Sequence, residues 1–181
     1  MNKVKRDAAG EGASLCIRTS WGPIVVTASG GRVTSCTLPE LRSEPRSPFA
    51  WKGARVRLAG KTDRRVLKKA EHFLKSTFAG EASEVPSYEW PDGTPFMCRV
   101  WRALAGIPRG ATVEYGVLAR RIGRPGGARA VGRVCGANPL PVFIPCHRVL
   151  PRDGSLGGFS GGLPWKRLLL EREGSIGKRL P

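Results

Sequence analysis

Apolar residues in the first third of the chain fall in short alternating runs. Ser14-Leu15-Cys16-Ile17-Arg18-Thr19-Ser20, Ile24 to Ala28 and Arg32 to Leu38 are rich in strand-forming residues, and Trp21-Gly22-Pro23 and Ser29-Gly30-Gly31 punctuate them. This pattern predicts three antiparallel strands in a meander. Pro39 to Pro48 reads as a polar, proline-bounded loop. From Thr62, a residue type suited to capping a helix, Leu67, Ala70, Leu74 and Phe78 recur at helical spacing until Gly80. That helix is expected to cover one face of the sheet.

Composition shifts at Glu81 to Gly93, where Pro86, Pro91 and Gly93 mark a linker, and the pattern beyond it turns helical. Phe96, Val100 and Leu104 recur every four residues, as do Met97, Trp101 and Ala105, so a helix with a wide apolar face ends at Pro108-Arg109-Gly110. Thr112 is expected to cap a short helix with Tyr115, Leu118 and Ile122 on one side. After Gly123 to Gly127 comes another short helix, Ala128 to about Cys135. Two short helices joined by a glycine-containing turn match a helix-turn-helix. A last helix, Leu163 to Glu173, buries Leu168 and Leu169 and stops at Gly174. The fold class is therefore α+β: a sheet-and-helix domain over 1–90, and a mostly helical domain over 91–181.

A formal net charge of +17 changes the picture, because such an excess favours a polyanionic partner, nucleic acid first. Residues 1–98 carry +6 and residues 99–181 carry +11. The short helix from Ala128 is dense in small residues such as Ala130, which allow close backbone approach, and carries Arg129 and Arg133 one turn apart. It reads as a DNA-docking element or as two arginines on a solvated face. No apolar stretch approaches a bilayer-spanning length, and the polar start Met1 to Asp7 lacks the core of a secretory signal, so a cytoplasmic location is expected. Five cysteines, widely spaced and without a CxxC pair, argue against a disulfide framework and a zinc ribbon.

Candidate chemistry gathers at Pro145-Cys146-His147-Arg148-Val149, delivered by the apolar run Val142-Phe143-Ile144. Cysteine attacks as the thiolate, so a nucleophilic Cys146 needs a base or a positive neighbour, and His147 and Arg148 are candidates. Successive side chains on an extended strand point to opposite faces, so His147 reaches Cys146 only through a bend, for which Pro145 is suited, or through a water. The pentapeptide alone is equally consistent with a buried structural cysteine at a strand end.

Seven ordered segments extend the argument: Gly93-Thr94-Pro95-Phe96; Tyr115; Ala128-Arg129-Ala130-Val131-Gly132; Gly136-Ala137-Asn138-Pro139; Ile144-Pro145-Cys146-His147-Arg148-Val149; Phe159-Ser160-Gly161-Gly162; and Glu173-Gly174. Through them the chain resembles the O6-alkylguanine-DNA alkyltransferases, also called methylated-DNA–protein-cysteine methyltransferases. The resemblance runs from about Gly93 to Gly174. Upstream it is confined to strand-then-helix order, for which it implies an RNase H-like domain.

The resemblance implies direct reversal of O6-alkylguanine, with O4-alkylthymine left open, by a single displacement that leaves the alkyl group on Cys146. It implies His147 as the base acting through a water, Glu173 as its orienting acid and Tyr115 as proton donor to the leaving guanine. Arg129 matches the finger that replaces the flipped nucleotide, on a helix laid in the minor groove of duplex DNA, and Arg133 is expected to contact phosphate. Recognition of the flipped base is implied for the carbonyls of Cys146 and Val149 and the amide of Ser160, beside Phe159, which stands where many relatives have tyrosine. Asn138 is implied to brace the turn before the cysteine segment. No cofactor and no membrane are implied, and a monomer is expected. Some relatives hold a structural zinc, but Cys16, Cys36 and His72 do not reproduce that spacing, so no metal is expected. Cys135 has no implied role. Two other readings remain: a non-catalytic lesion-binding relative, against which Cys146 itself speaks, and a Cys-His hydrolase, which leaves the basic charge unexplained.

Overall fold

The computed structural model describes residues 13–57 and 60–175. The expected meander forms β1 (Ala13–Thr19), β2 (Gly22–Ser29) and β3 (Arg32–Thr37), and strict alternation buries Leu15, Ile17, Ile24 and Val26 on one face. Gly30 and Gly31 join β2 to β3 with φ of 58° and 76°, the two positive values of a type I′ hairpin. A fourth strand was not expected. β4 (Trp51–Arg57) pairs antiparallel with β1, giving the order β3-β2-β1-β4. Its Lys52, Gly53, Arg55 and Arg57 obscure the strand pattern, and only Ala54, Val56 and Trp51 touch the core.

Helix α1 (Lys61–Ala79) packs across all four strands, as its apolar spacing predicts. It starts two residues earlier than expected, because Gly60 is the N-cap and Thr62 lies inside, its methyl group seated where a Gly31 side chain would stand. Asp63 in the first turn accepts a 2.7 Å bond from the Gly31 N–H, which ties the hairpin to the helix. Gly80 closes α1 in the left-handed region at φ 88°.

The presumed linker is stitched to the sheet rather than free: Val33 donates to the Ser87 carbonyl at 3.0 Å and accepts from the Glu89 N–H at 2.8 Å. Thr94 then caps α2 (Pro95–Ala105) by accepting from the Met97 N–H, and α2 buries Val100, Trp101 and Leu104. Thr112 does not cap the next helix. It is fully buried ahead of the short strand β5 (Val113–Glu114), and Glu114 is the N-cap of α3 (Tyr115–Arg121). α4 (Ala128–Gly136) packs on α3. A 3₁₀ turn (Cys146–Arg148), the short strand β6 (Val149–Leu150) and α5 (Leu163–Arg172) complete the chain.

Two features set the site. β5 and β6 pair in parallel, Val113 with Val149 and Glu114 with Leu150, which brings the start of α3 beside the segment leaving Cys146. The two halves also share one apolar core: Trp165 of α5 stacks edge-on with Trp21 at 4.9 Å and lies 5.6 Å from Phe78, while Phe73 meets Phe143 at 5.1 Å. Among the described residues, no helix is long and apolar enough to cross a membrane.

Candidate active site

The approach to Cys146 is a sequence of tight turns, not a strand. Val142 takes a φ of 75°, costly for a β-branched residue, and Ile144 donates to the Leu140 carbonyl at 2.8 Å. Pro145, at φ −80° and ψ 63°, then forms an inverse γ-turn closed by the Cys146 N–H on the Ile144 carbonyl at 2.8 Å. The proline thus supplies the bend that adjacency of a thiol and an imidazole requires, and residues 146–148 continue as the 3₁₀ turn.

Asn138 holds this bend from behind. Its Oδ1 accepts from the Leu140 N–H at 3.0 Å, and its Nδ2 donates to the Ile144 carbonyl at 2.8 Å and to the Cys146 sulfur at 3.3 Å. These bonds span the turn and reach the sulfur.

Cys146 is buried, and burial pushes its thiol above the ordinary value. The Asn138 bond, the Lys166 charge and the backbone N–H groups of Cys146 and His147 act in the opposite direction. Burial likewise lowers His147, against the opposing pull of Glu173. At neutral pH the resting pair is therefore a thiol beside a neutral imidazole.

The imidazole is held from its far side. Its Nε2 lies 3.0 Å from Glu173 Oε1, and Arg148 clamps the same carboxylate with Nη2 to Oε1 at 2.7 Å and Nε to Oε2 at 2.9 Å. Burial alone would raise the Glu173 carboxyl, but bonds and charges from His147 and Arg148 outweigh it and hold it down at about 2. An ionised Glu173 accepting from Nε2–H fixes the tautomer and leaves Nδ1 as the basic nitrogen. Nδ1 is buried and bonds no described residue. Arg148 is thus not the positive neighbour of the thiol. Its third contact, Nη1 to the Ile107 carbonyl at 2.6 Å, turns it away to the segment that follows α2.

That positive neighbour is Lys166, which the sequence reading missed. It is fully buried, and its Nζ donates to the Val149 carbonyl at 2.8 Å and to the Gly158 carbonyl at 3.4 Å, 5.8 Å from the centre of the Tyr115 ring. Burial lowers its pKa to about 8, against the pull of Cys146 and Cys135. The available signal was its place in Leu163 to Leu170: Lys166 precedes Leu169 and Leu170 by three and four residues, on the buried side of α5.

A cavity of about 1250 Å³ opens in front of the sulfur. Tyr115, Arg129, Phe159 and Ser160 line it with Cys146, and so does Cys135. Burial, with Cys135 and Cys146 adding to it, raises Tyr115, so its phenol keeps its proton at neutral pH. Gly132 and Gly157 flank the ring, their missing Cβ atoms falling 3.8 and 3.7 Å from it. His147, Glu173 and Asn138 stand behind this wall, and the Val149 carbonyl is engaged by Lys166. Arg129 and Arg133 are exposed, and with Ala130 and Arg124 they frame a second hollow at the start of α4.

Comparison with known proteins bears on this arrangement. Residues 95–175 match the 6-O-methylguanine DNA methyltransferase DNA-binding domain. The methylated-DNA–protein-cysteine methyltransferase of Mycobacterium bovis is 40% identical over 154 residues, 85% of this chain and 87% of that protein. The chain belongs to the methylated-DNA–protein-cysteine methyltransferase family. A family member from Salmonella typhimurium is 48% identical over 104 residues; this match spans 57% of the chain and 61% of that relative. The crystal structure of Mycobacterium tuberculosis OGT in complex with DNA superposes with a TM-score of 0.70 at 36% identity, covering 90% of this chain and 93% of that one. The family likeness thus extends over the N-terminal half as well.

Proposed function

We propose that this protein repairs DNA by direct reversal, moving an alkyl group from O6 of guanine onto Cys146 once per molecule. The observation that carries this reading is a buried thiol facing a cavity with ample room for a purine base, with a neutral imidazole held by an ionised carboxylate behind it. No peptide or ester hydrolase requires a cavity flanked by exposed arginines on a short helix of small residues.

The chemistry follows from the protonation states. His147 Nδ1 takes the Cys146 proton through a water, and the thiolate attacks the alkyl carbon as the C–O6 bond breaks. The electron pair remains on the guanine, and Tyr115, still protonated, donates to N3 of the departing base. Lys166 stabilises the thiolate as it forms, and Arg148 keeps Glu173 charged while His147 becomes cationic. The Val149 carbonyl keeps a second lone pair for the guanine edge beside the Lys166 bond, with the Cys146 carbonyl and Ser160 amide completing recognition and Phe159 as the aromatic wall.

A stacked base is out of reach of this sulfur, so the nucleotide flips into the cavity at a cost of a few kcal/mol. We read α3 and α4 as a helix-turn-helix, laid in the minor groove of duplex DNA, with Arg129 filling the vacated stack, Ala130 allowing close approach and Arg133 on phosphate. The unit 91–181 carries binding and chemistry, and 1–90, RNase H-like in this reading, supports it; the active species is a monomer. The test is incubation with duplex DNA carrying labelled O6-methylguanine. Label should move to protein one-to-one and stop, and Cys146→Ala should take none; repeated turnover, or transfer to Cys146→Ala, overturns the reading.

A further inference from the structure

The four strands of the N-terminal sheet contain no carboxylate and five basic residues, Arg18, Arg32, Lys52, Arg55 and Arg57. Helix α1 covers the face that buries Leu15, Ile17, Ile24 and Val26. On the opposite face, strand register sets Cys16 beside Arg55 and Ser14 beside Arg57. Arg55 and Arg57 are two residues apart on one strand, so they stand on the same side about 7 Å apart. Arg18 joins them from β1: its guanidinium passes over Gly53 of β4, 3.8 Å from where a side chain there would begin. All three arginines are exposed, and none is in an ion pair among the described residues.

We propose that this outer sheet face is a second binding surface for duplex DNA, gripping its phosphate backbone independently of α4 and the cavity. Three guanidinium groups with no carboxylate partner among the described residues form an unbalanced electrostatic surface there, and phosphate neutralisation with release of counterions is how such a surface gains free energy. Ser14, paired with Thr27 across β1 and β2 and with Arg57 across β1 and β4, adds a hydroxyl beside the arginines. The face carries no aromatic side chain among Ser14, Cys16, Arg18, Val25, Thr27, Arg55 and Arg57, so it offers unpaired bases nothing to stack on and favours a duplex over a single strand. Backbone-only contact also means no sequence preference. The surface raises the local concentration of undamaged DNA around a protein that must search it.

The test is the salt dependence of binding to an undamaged duplex, measured by fluorescence anisotropy on the full chain. Arg18→Ser/Arg55→Ser/Arg57→Ser should reduce the slope of log K against log salt by about 2 to 3. Arg129→Ala/Arg133→Ala should retain a weaker, salt-sensitive affinity that the fivefold variant loses. Methyl transfer from the free O6-methylguanine base, which needs neither surface, should be the same in the sheet variant as in the parent, and this also confirms folding. An unchanged slope in the sheet variant overturns the proposal. So does preferential competition of the residual binding by single-stranded RNA or by anionic vesicles. Failure of methyl transfer in the parent protein would overturn the repair function without touching this result.

Discussion

His147 Nε2 sits 3.0 Å from Glu173 Oε1, with both side chains removed from solvent. The contact joins the 3₁₀ turn to the end of α5, twenty-six residues later, and Arg148 locks it from the other side. A glutamate at a helix C-terminus opposes the macrodipole, so Glu173 adds to stability through this clamp rather than through the helix.

The clamp has a pH signature. Glu173 is depressed to about 2 in the folded protein, so its contribution is complete above the unfolded carboxylate value near 4.3 and disappears as pH falls through the folded value. Glu173→Gln should be less stable at pH 7 by about 3 kcal/mol, and the gap to the parent should close between about pH 4 and pH 2. Denaturant unfolding across that range measures it; a gap that persists at pH 2 would place the effect elsewhere.

Asn138 supports two backbone groups and the sulfur. Asn138→Ala strips partners from the Leu140 N–H and the Ile144 carbonyl inside the protein, at about 1–3 kcal/mol each. It should also raise the thiol further, since the Asn138 bond is the leading effect that lowers it. Denaturant unfolding and thiolate absorbance against pH report the two effects separately.

Much of this frame was legible in the sequence, for identifiable reasons. Helical spacing in Leu67 to Phe78 and in Phe96 to Ala105, and alternation in the first three strands, encode which face is buried. β4 was not legible because edge position lets Lys52, Arg55 and Arg57 replace apolar residues. Two-residue strands such as β5 and β6 carry no pattern at all, yet they place Tyr115 beside the cysteine turn. The threonines at 62 and 112 suit caps by propensity, and tertiary contacts override it: one packs on Gly31, the other is wholly buried. Lys166 was missed because a lysine between a tryptophan and leucines reads as a solvated position until Val149 and Gly158 supply its partners.

Lys166 separates stability from reactivity. Lys166→Met removes a bond to the buried Val149 carbonyl and a longer one to the Gly158 carbonyl but also removes the cost of burying an ammonium group, so the changes offset to within about 2 kcal/mol. The thiolate loses its positive neighbour, and single-turnover transfer should slow at least about 10-fold, roughly 1.4 kcal/mol in the barrier. Thermal unfolding with quenched-flow transfer checks both; a large stability loss with unchanged transfer would make Lys166 purely structural.

Arg129 should matter only where a base must leave a stack. It is exposed at the cavity mouth and makes no contact with Cys146, His147 or Tyr115 that the chemistry needs. Extrusion from a duplex costs a few kcal/mol, and a side chain that fills the gap recovers part of it. Arg129→Ala should therefore slow transfer from duplex O6-methylguanine by about 10-fold or more while leaving transfer from the free base unchanged. Parallel rate measurements on the two substrates decide this, and equal losses on both would show that Arg129 shapes the cavity itself instead of replacing the flipped nucleotide.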